Sequence, residues 1–222
     1  QNSDGNAYFV EASSDLPRIF ASELGDVLSV VAQKVILGIE FRDGSRPIRI
    51  IGRDGRIDGD LVELNLNQLY GGQEKYALIE VDVPPTPAEK TREIAVARVS
   101  YDSAISNERE TSSGSVTARF SARKEDSVRS ANKPVQQEVL KNVIAETQDE
   151  AVNLWDAGDK DKALHVMKEK KAEMEVIIKT YDLTPEAAAP VSSFSDSIGR
   201  LETNGMDQRQ RKSFRTDSYQ TR

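Results

Sequence analysis

The sequence predicts an α+β protein: an antiparallel β-sandwich, preceded by a lone strand and helix and followed by an α-helical hairpin. Three observations carry that prediction. Apolar residues alternate with period two over most of residues 35–120. They recur at helical spacing from Pro134 onward. The first thirty or so residues hold one short apolar strand and one amphipathic helix, which cannot bury both of their greasy faces against each other.

Residues 7–12 (Ala-Tyr-Phe-Val-Glu-Ala) read as the strand. Ser13-Ser14-Asp15 offers capping oxygens, Pro17 suits a first helical turn, and Ile19, Phe20, Leu24, Val27, Leu28 and Val31 form one stripe. The period then drops to two: Val35, Leu37, Ile39 and Phe41 alternate with Ile36, Gly38 and Glu40. Asp43-Gly44 and Gly52-Arg53-Asp54-Gly55 mark turns on either side of the apolar run Ile48–Ile51. Val62, Leu64 and Leu66 form the next strand, and Tyr76–Val81 follows Gly71-Gly72. Ile94–Tyr101 and Val116–Phe120 are two more strands, separated by the polar tract Ser103–Ser115. About six short strands with turn signals between them indicate a sandwich or barrel.

From Pro134 the pattern is helical. Val135, Val139, Leu140, Val143, Ile144, Ala151, Leu154 and Trp155 fit a first helix, broken at Ala157-Gly158-Asp159. Ala163, Leu164, Val166, Met167, Met174, Ile177, Ile178 and Tyr181 fit a second, which stops before Pro185. Two long helices and a short turn make a hairpin, whose Ala151…Ala157-Gly158-Asp159…Leu164 pattern is similar to a single tetratricopeptide-type pair. Residues 186–203 suit a short helix around Phe194, Ile198 and Leu201. The polar stretch 204–222 is expected to be disordered.

The segments Gly5-Asn6-Ala7-Tyr8-Phe9-Val10-Glu11 and Asp15–Ala32 resemble the end of the von Willebrand factor A (VWA) domain in a bacterial family of VWA proteins. Asp60-Leu61, Leu69-Tyr70-Gly71-Gly72-Gln73-Glu74-Lys75 and Val83-Pro84 resemble the sandwich that follows it in that family. The resemblance marks residues 1–32 as the last strand and helix of a truncated VWA domain and 33–124 as the sandwich, beside the helical hairpin at 134–184 and the short helix with a disordered basic tail at 185–222 that periodicity and composition give. It also implies a divalent cation, Mg or Ca, held by oxygen ligands N-terminal to everything present here, so that no cofactor and no metal ligand is expected in this chain. Because the first residue is Gln, a processed product or fragment is expected.

Function classes narrow from there. The net charge of −7 argues against nucleic acid as a partner, and no run approaches the ~20 apolar residues of a membrane helix. Without cysteine, disulfides, thiolate metal sites and a cysteine nucleophile are excluded, though both cytoplasm (the expected compartment) and cell envelope tolerate that. His165, the one histidine, sits mid-helix among Lys162, Lys168 and Glu169 and reads as a surface residue. Asp102-Ser103-Ala104-Ile105-Ser106 and Asp196-Ser197-Ile198-Gly199 superficially mimic a cation loop, but their serines are misplaced or missing, so both read as turn or cap sequences.

What remains is a non-enzymatic interaction or scaffold module with a protein partner. Candidate partner contacts are Trp155, unless it plugs the gap between hairpin and sandwich, and Arg209, Arg211, Lys212 and Arg215 of the tail. A second copy could also pair with the orphan strand 7–12. The rival reading is a regulatory or chaperone-like helper that holds a client in a groove along the hairpin, at Leu154, Leu164 or Met167. A hydrolase, suggested only by abundant Asp and Glu, ranks third.

Overall fold

The computed structural model describes residues 30–221. The strand expected at 7–12 and nearly all of the first helix lie outside those residues. Described strands and helices fall into two units that divide between Ala122 and Arg123, one β and one helical.

The β unit holds β1 (Val30–Phe41), β2 (Arg46–Ile51), β3 (Arg56–Asp58), β4 (Leu61–Tyr70), β5 (Leu78–Asp82), β6 (Thr91–Ser103) and β7 (Arg109–Arg119). They make a five-stranded sheet in the order β3-β4-β1-β6-β7 and a two-stranded sheet, β2-β5. All these pairings are antiparallel. Strand β1 starts earlier than the period alone indicates: Val30 and Val31, expected to close a helix, begin a strand. Val30 pairs with Tyr70, and the Val31 carbonyl accepts from the Ala104 N–H at 2.9 Å. Two β-branched residues in a row favour that outcome.

The pairing of β1 with β4 shifts register three times between Val30 and Ile36. Ala32 and Val35 are both buried although they lie three residues apart, because Lys34 adopts φ 49° and the register shifts between them. Asn67, at φ 59°, stands opposite Val35 in β4. After this bulge Leu37, Ile39 and Phe41 keep to the side of Val62, Leu64, Leu66 and Ala95, and Ile50, Ile79 and Val81 of the smaller sheet pack against that cluster. The two sheets therefore share one core.

The polar tract Ser103–Ser115, expected as a connection, is mostly strand: β7 begins at Arg109 and pairs with β6 along its length. Its side chains are almost all exposed, so no apolar alternation was needed to build it.

The helical unit comprises α1 (Lys124–Ser130), α2 (Lys133–Asp156), α3 (Lys160–Tyr181), α4 (Pro185–Asn204) and α5 (Gln208–Thr221). At the start of α2 the Val135 N–H donates to Asn132 Oδ1, and Pro134 sits in the first turn. Gly158, at φ 93°, turns the chain into α3, which ends on Asp182 in the left-handed conformation. Thr184 then caps α4 by accepting from the Ala187 N–H at 3.3 Å. Helix α2 packs against α3, α4 and α5. The hairpin is thus half of a four-helix arrangement, and the tail expected to be disordered is helix α5. Phe214, 3% exposed, and Met206, 7% exposed, tie the tail to a core that includes Leu140, Met167, Met174 and Phe194. Burying those two apolar residues offsets the polarity of the rest of the segment.

Candidate interaction surfaces

Arg211 and Arg215 stand one helical turn apart on α5 and reach the same carboxylate, Asp156 at the end of α2, at 2.7 and 3.4 Å. The Ser218 hydroxyl donates to Asp149 of α2. Half of the expected basic patch is therefore used inside the unit to dock α5, while Arg209 and Lys212 are exposed on the same helix.

Trp155 is 9% exposed and belongs to the helical core. A Cβ built on Gly205 would lie 3.4 Å from Trp155 Cζ2, and the Lys160 ammonium lies 5.4 Å from the ring centroid. The plug role expected between hairpin and sandwich is replaced by packing inside the helical unit, because α4 and α5 supply the cover that a bare hairpin lacks. Met167 of the expected client groove is fully buried, and Leu154 and Leu164 pack against the same core. His165 lies on the surface of α3, 3.2 Å from Glu169.

The β6–β7 hairpin is braced by a cluster of polar contacts. Asp102 receives Arg109 on one oxygen at 2.8 Å and Lys34 on the other at 2.9 Å. Those two hydrogen bonds, Lys34's foremost, hold its carboxyl below the usual 3.8. Glu110 accepts from the hydroxyls of Ser106 at 2.6 Å and Tyr101 at 2.9 Å, which lowers its carboxyl and raises the Tyr101 phenol. The Ser106 N–H donates to Ser103 Oγ. These residues do not fit a divalent cation, since both Asp102 oxygens are held by cations already and both serines are spent on the turn. Among the described residues no group of three or more His, Cys, Asp or Glu could hold a metal.

The brace presents two features to solvent. Ile105 at the tip is 82% exposed, and β7 runs along the sheet edge with only β6 as neighbour. From Thr111 to Ala118 β7 carries no charge and no proline, and Val116 within it is 59% exposed. The other edges are guarded: β3 is three residues long, β2 carries Arg46, Pro47 and Arg49, and β5 carries Glu80 and Asp82. Sequence reasoning found the end of this edge at Val116 but missed Arg109–Ser115, whose serines and threonines look like a loop, although the period-two placement of Thr111, Ser113 and Ser115 was there to be read.

The fold has solved counterparts. A von Willebrand factor type A protein from Catenulispora acidiphila is similar over 97% of this chain and 52% of its own, at 12% identity and a TM-score of 0.65. The human COPII-coat protein Sec24c is similar over 92% of this chain and 26% of its own, at 13% identity and a TM-score of 0.57. The fold is therefore one found within a VWA protein, and this chain spans about half of that counterpart's length. A looser likeness, at a TM-score of 0.44 and 16% identity over 98% of this chain and 49% of the other, is to the ArnB paralog VWA2 from Sulfolobus acidocaldarius. No family model and no curated protein matches the sequence. Among the described residues no helix is long and apolar enough to cross a membrane.

Proposed function

We propose that the chain is a non-enzymatic interaction and scaffold module of a longer VWA-domain protein, acting in the cytoplasm or cell envelope. In this reading the two sheets form an unequal sandwich, the residues before Val30 are the close of the VWA domain, and a Mg or Ca ion in the remainder of that domain grips the partner. The sandwich gives the partner a second contact.

One observation carries the reading: β7 is an eleven-residue edge strand whose central residues carry neither charge nor proline, on a hairpin stiffened by Asp102 and Glu110. An extended segment of the partner protein adds to such an edge through backbone hydrogen bonds, with Val116 and Ile105 as apolar contacts. The carboxylates support binding over catalysis, because Asp102, Glu110 and Asp156 are each satisfied by cations or hydroxyls.

The test is partner capture by the longer protein with and without EDTA, and with Ser113→Lys/Ser115→Lys in β7. EDTA is expected to weaken capture strongly and the lysines to weaken it further. Capture that survives both treatments sinks the reading.

A further inference from the structure

Strand β7 carries a symmetry that an edge built for an unrelated strand does not need. From Thr111 to Thr117 (Thr-Ser-Ser-Gly-Ser-Val-Thr) the residues read almost the same in both directions about Gly114. Thr111 answers Thr117, Ser113 answers Ser115, and Ser112 against Val116 is the one mismatch. Two copies related by a two-fold axis must set residue i opposite j and j opposite i. A near-palindrome meets that condition in antiparallel register.

The backbone agrees with the axis. The Glu108 carbonyl accepts from the Ser103 N–H at 2.9 Å, and past the other end of the strand the Phe120 N–H donates to the Lys90 carbonyl at 2.9 Å. The register shift in this pair puts its extra residue in β6, between Glu93 and Ala95, so β7 itself alternates without a break. Its even-numbered residues therefore face β6, while Thr111, Ser113, Ser115 and Thr117 turn their N–H and C=O groups outward. With Gly114 on the axis, Ser113 meets Ser115 of the second copy and Thr111 meets Thr117, as hydrogen-bonded pairs giving about eight backbone hydrogen bonds in all. Serine and threonine pairs of this kind stabilise adjoining strands. None of the seven residues brings charge to the seam. At its ends Arg109 comes opposite Arg119, and each is already held by a carboxylate of its own chain, Asp102 and Glu89.

We propose that β7 pairs antiparallel with β7 of a second copy of this chain, about a two-fold axis through Gly114, joining the two five-stranded sheets into one. The inference rests on the reading of β7 as a pairing edge, and it names the occupant of that edge while no other protein is engaged.

The chain has no cysteine, so single cysteines read the register directly. A Cβ at Gly114 meets nothing within 4 Å, and in this register Gly114→Cys stands beside its symmetry mate at about 4.5 Å between Cα atoms, within disulfide reach. Ser112→Cys, exposed on the same face, is roughly 14 Å from its mate. Under mild oxidation the full chain with Gly114→Cys is expected to form a covalent dimer about tenfold faster than with Ser112→Cys. In sedimentation velocity over about a hundredfold range of concentration, the unmodified chain is expected to show a reversible monomer–dimer equilibrium. Ser113→Lys/Ser115→Lys sets lysine opposite lysine and should weaken the dimer about tenfold, whereas Ser113→Lys/Ser115→Glu sets lysine opposite glutamate and should restore it. Both double variants change exposed side chains only. A chain that stays monomeric throughout, equal oxidation of the two cysteine variants, or a lysine–glutamate variant no better than the double lysine would overturn the self-pairing. If the unmodified chain is monomeric while the double lysine still weakens capture by the longer protein, the self-pairing alone falls. A dimer alongside capture that ignores the lysines supports the self-pairing and sinks the role of β7 in capture.

Discussion

Phe214→Ala is the sharpest probe of the helical unit, because it asks whether helix α5 is held by its buried phenylalanine. Phe214 is 3% exposed within the helical core. Truncating a buried phenylalanine costs about 3–5 kcal/mol. Helix α5 is 14 residues long, near the length at which an isolated helix is marginal in water. The Asp156 pairs cannot replace the loss: Asp156 is 38% exposed, and exposed pairs are worth about 1 kcal/mol or less. The cost should therefore appear as local release of α5, with α2, α3 and α4 still folded. Trypsin reads this directly, since Arg209, Arg211, Lys212 and Arg215 all lie on α5. Loss of about 3 kcal/mol corresponds to cleavage about a hundredfold faster in the variant, with most of the far-UV helical signal retained. If the unmodified chain is cut at these positions as fast as Phe214→Ala, the tail is not docked and the argument fails.

Other perturbations have equally definite outcomes. Gly55→Ala places a Cβ 2.6 Å from Ile50 Cδ1 and 3.0 Å from the Glu63 carbonyl oxygen; the latter is backbone and cannot swing away, so urea denaturation should show a loss of about 1–3 kcal/mol. Asp156→Asn removes the carboxylate shared by Arg211 and Arg215; it should raise tryptic cleavage of α5 several-fold at low salt and by less in 0.5 M NaCl, about a third of the Debye length at 0.05 M. Acid should loosen the β6–β7 brace: Asp102 and Glu110 have folded values below 3.8 and 4.5, so their contribution is complete above those values and is lost as pH falls through the lower folded ones. Amide exchange in β7 rising below pH 4 faster than in β4 checks this, and a uniform rise contradicts it. His165→Ala should leave both partner capture and stability within about 0.5 kcal/mol, as a surface residue on α3 should.

Legibility in the sequence followed burial. Strands β1, β4 and β6 were readable because Leu37, Ile39, Phe41, Val62, Leu64 and Leu66 must alternate to reach a common core. The α2–α3 pair was readable from Leu140, Ile144, Ala163, Met167 and Met174, with Gly158 as the break. Strand β3 was missed because all three of its residues are exposed, and most of β7 because edge pairing constrains backbone more than side chains. In the tail, polar composition outweighed a weaker signal: Arg211 and Arg215 at helical spacing, with Phe214 between them, describe a helix with one greasy face. Trp155 lies in the helical core because α4 and α5, which the sequence reading had not supplied in full, pack with it there.

The two units differ in how completely they finish themselves. In the helical unit even a polar tail is folded back, and two of its basic residues, Arg211 and Arg215, are spent on Asp156. In the β unit ion pairs cluster at the ends of β7, with Arg109 on Asp102 and Arg119 on Glu89, and the eight residues between them carry neither charge nor proline. A strand pinned at both ends and bare in the middle resists fraying while keeping its outer row of backbone donors and acceptors in solvent. Such an edge is an aggregation hazard unless something occupies it, and guarding it would need only one lysine. The absence of that lysine on the one long edge among the described strands is the physical reason to look for a partner at β7 first.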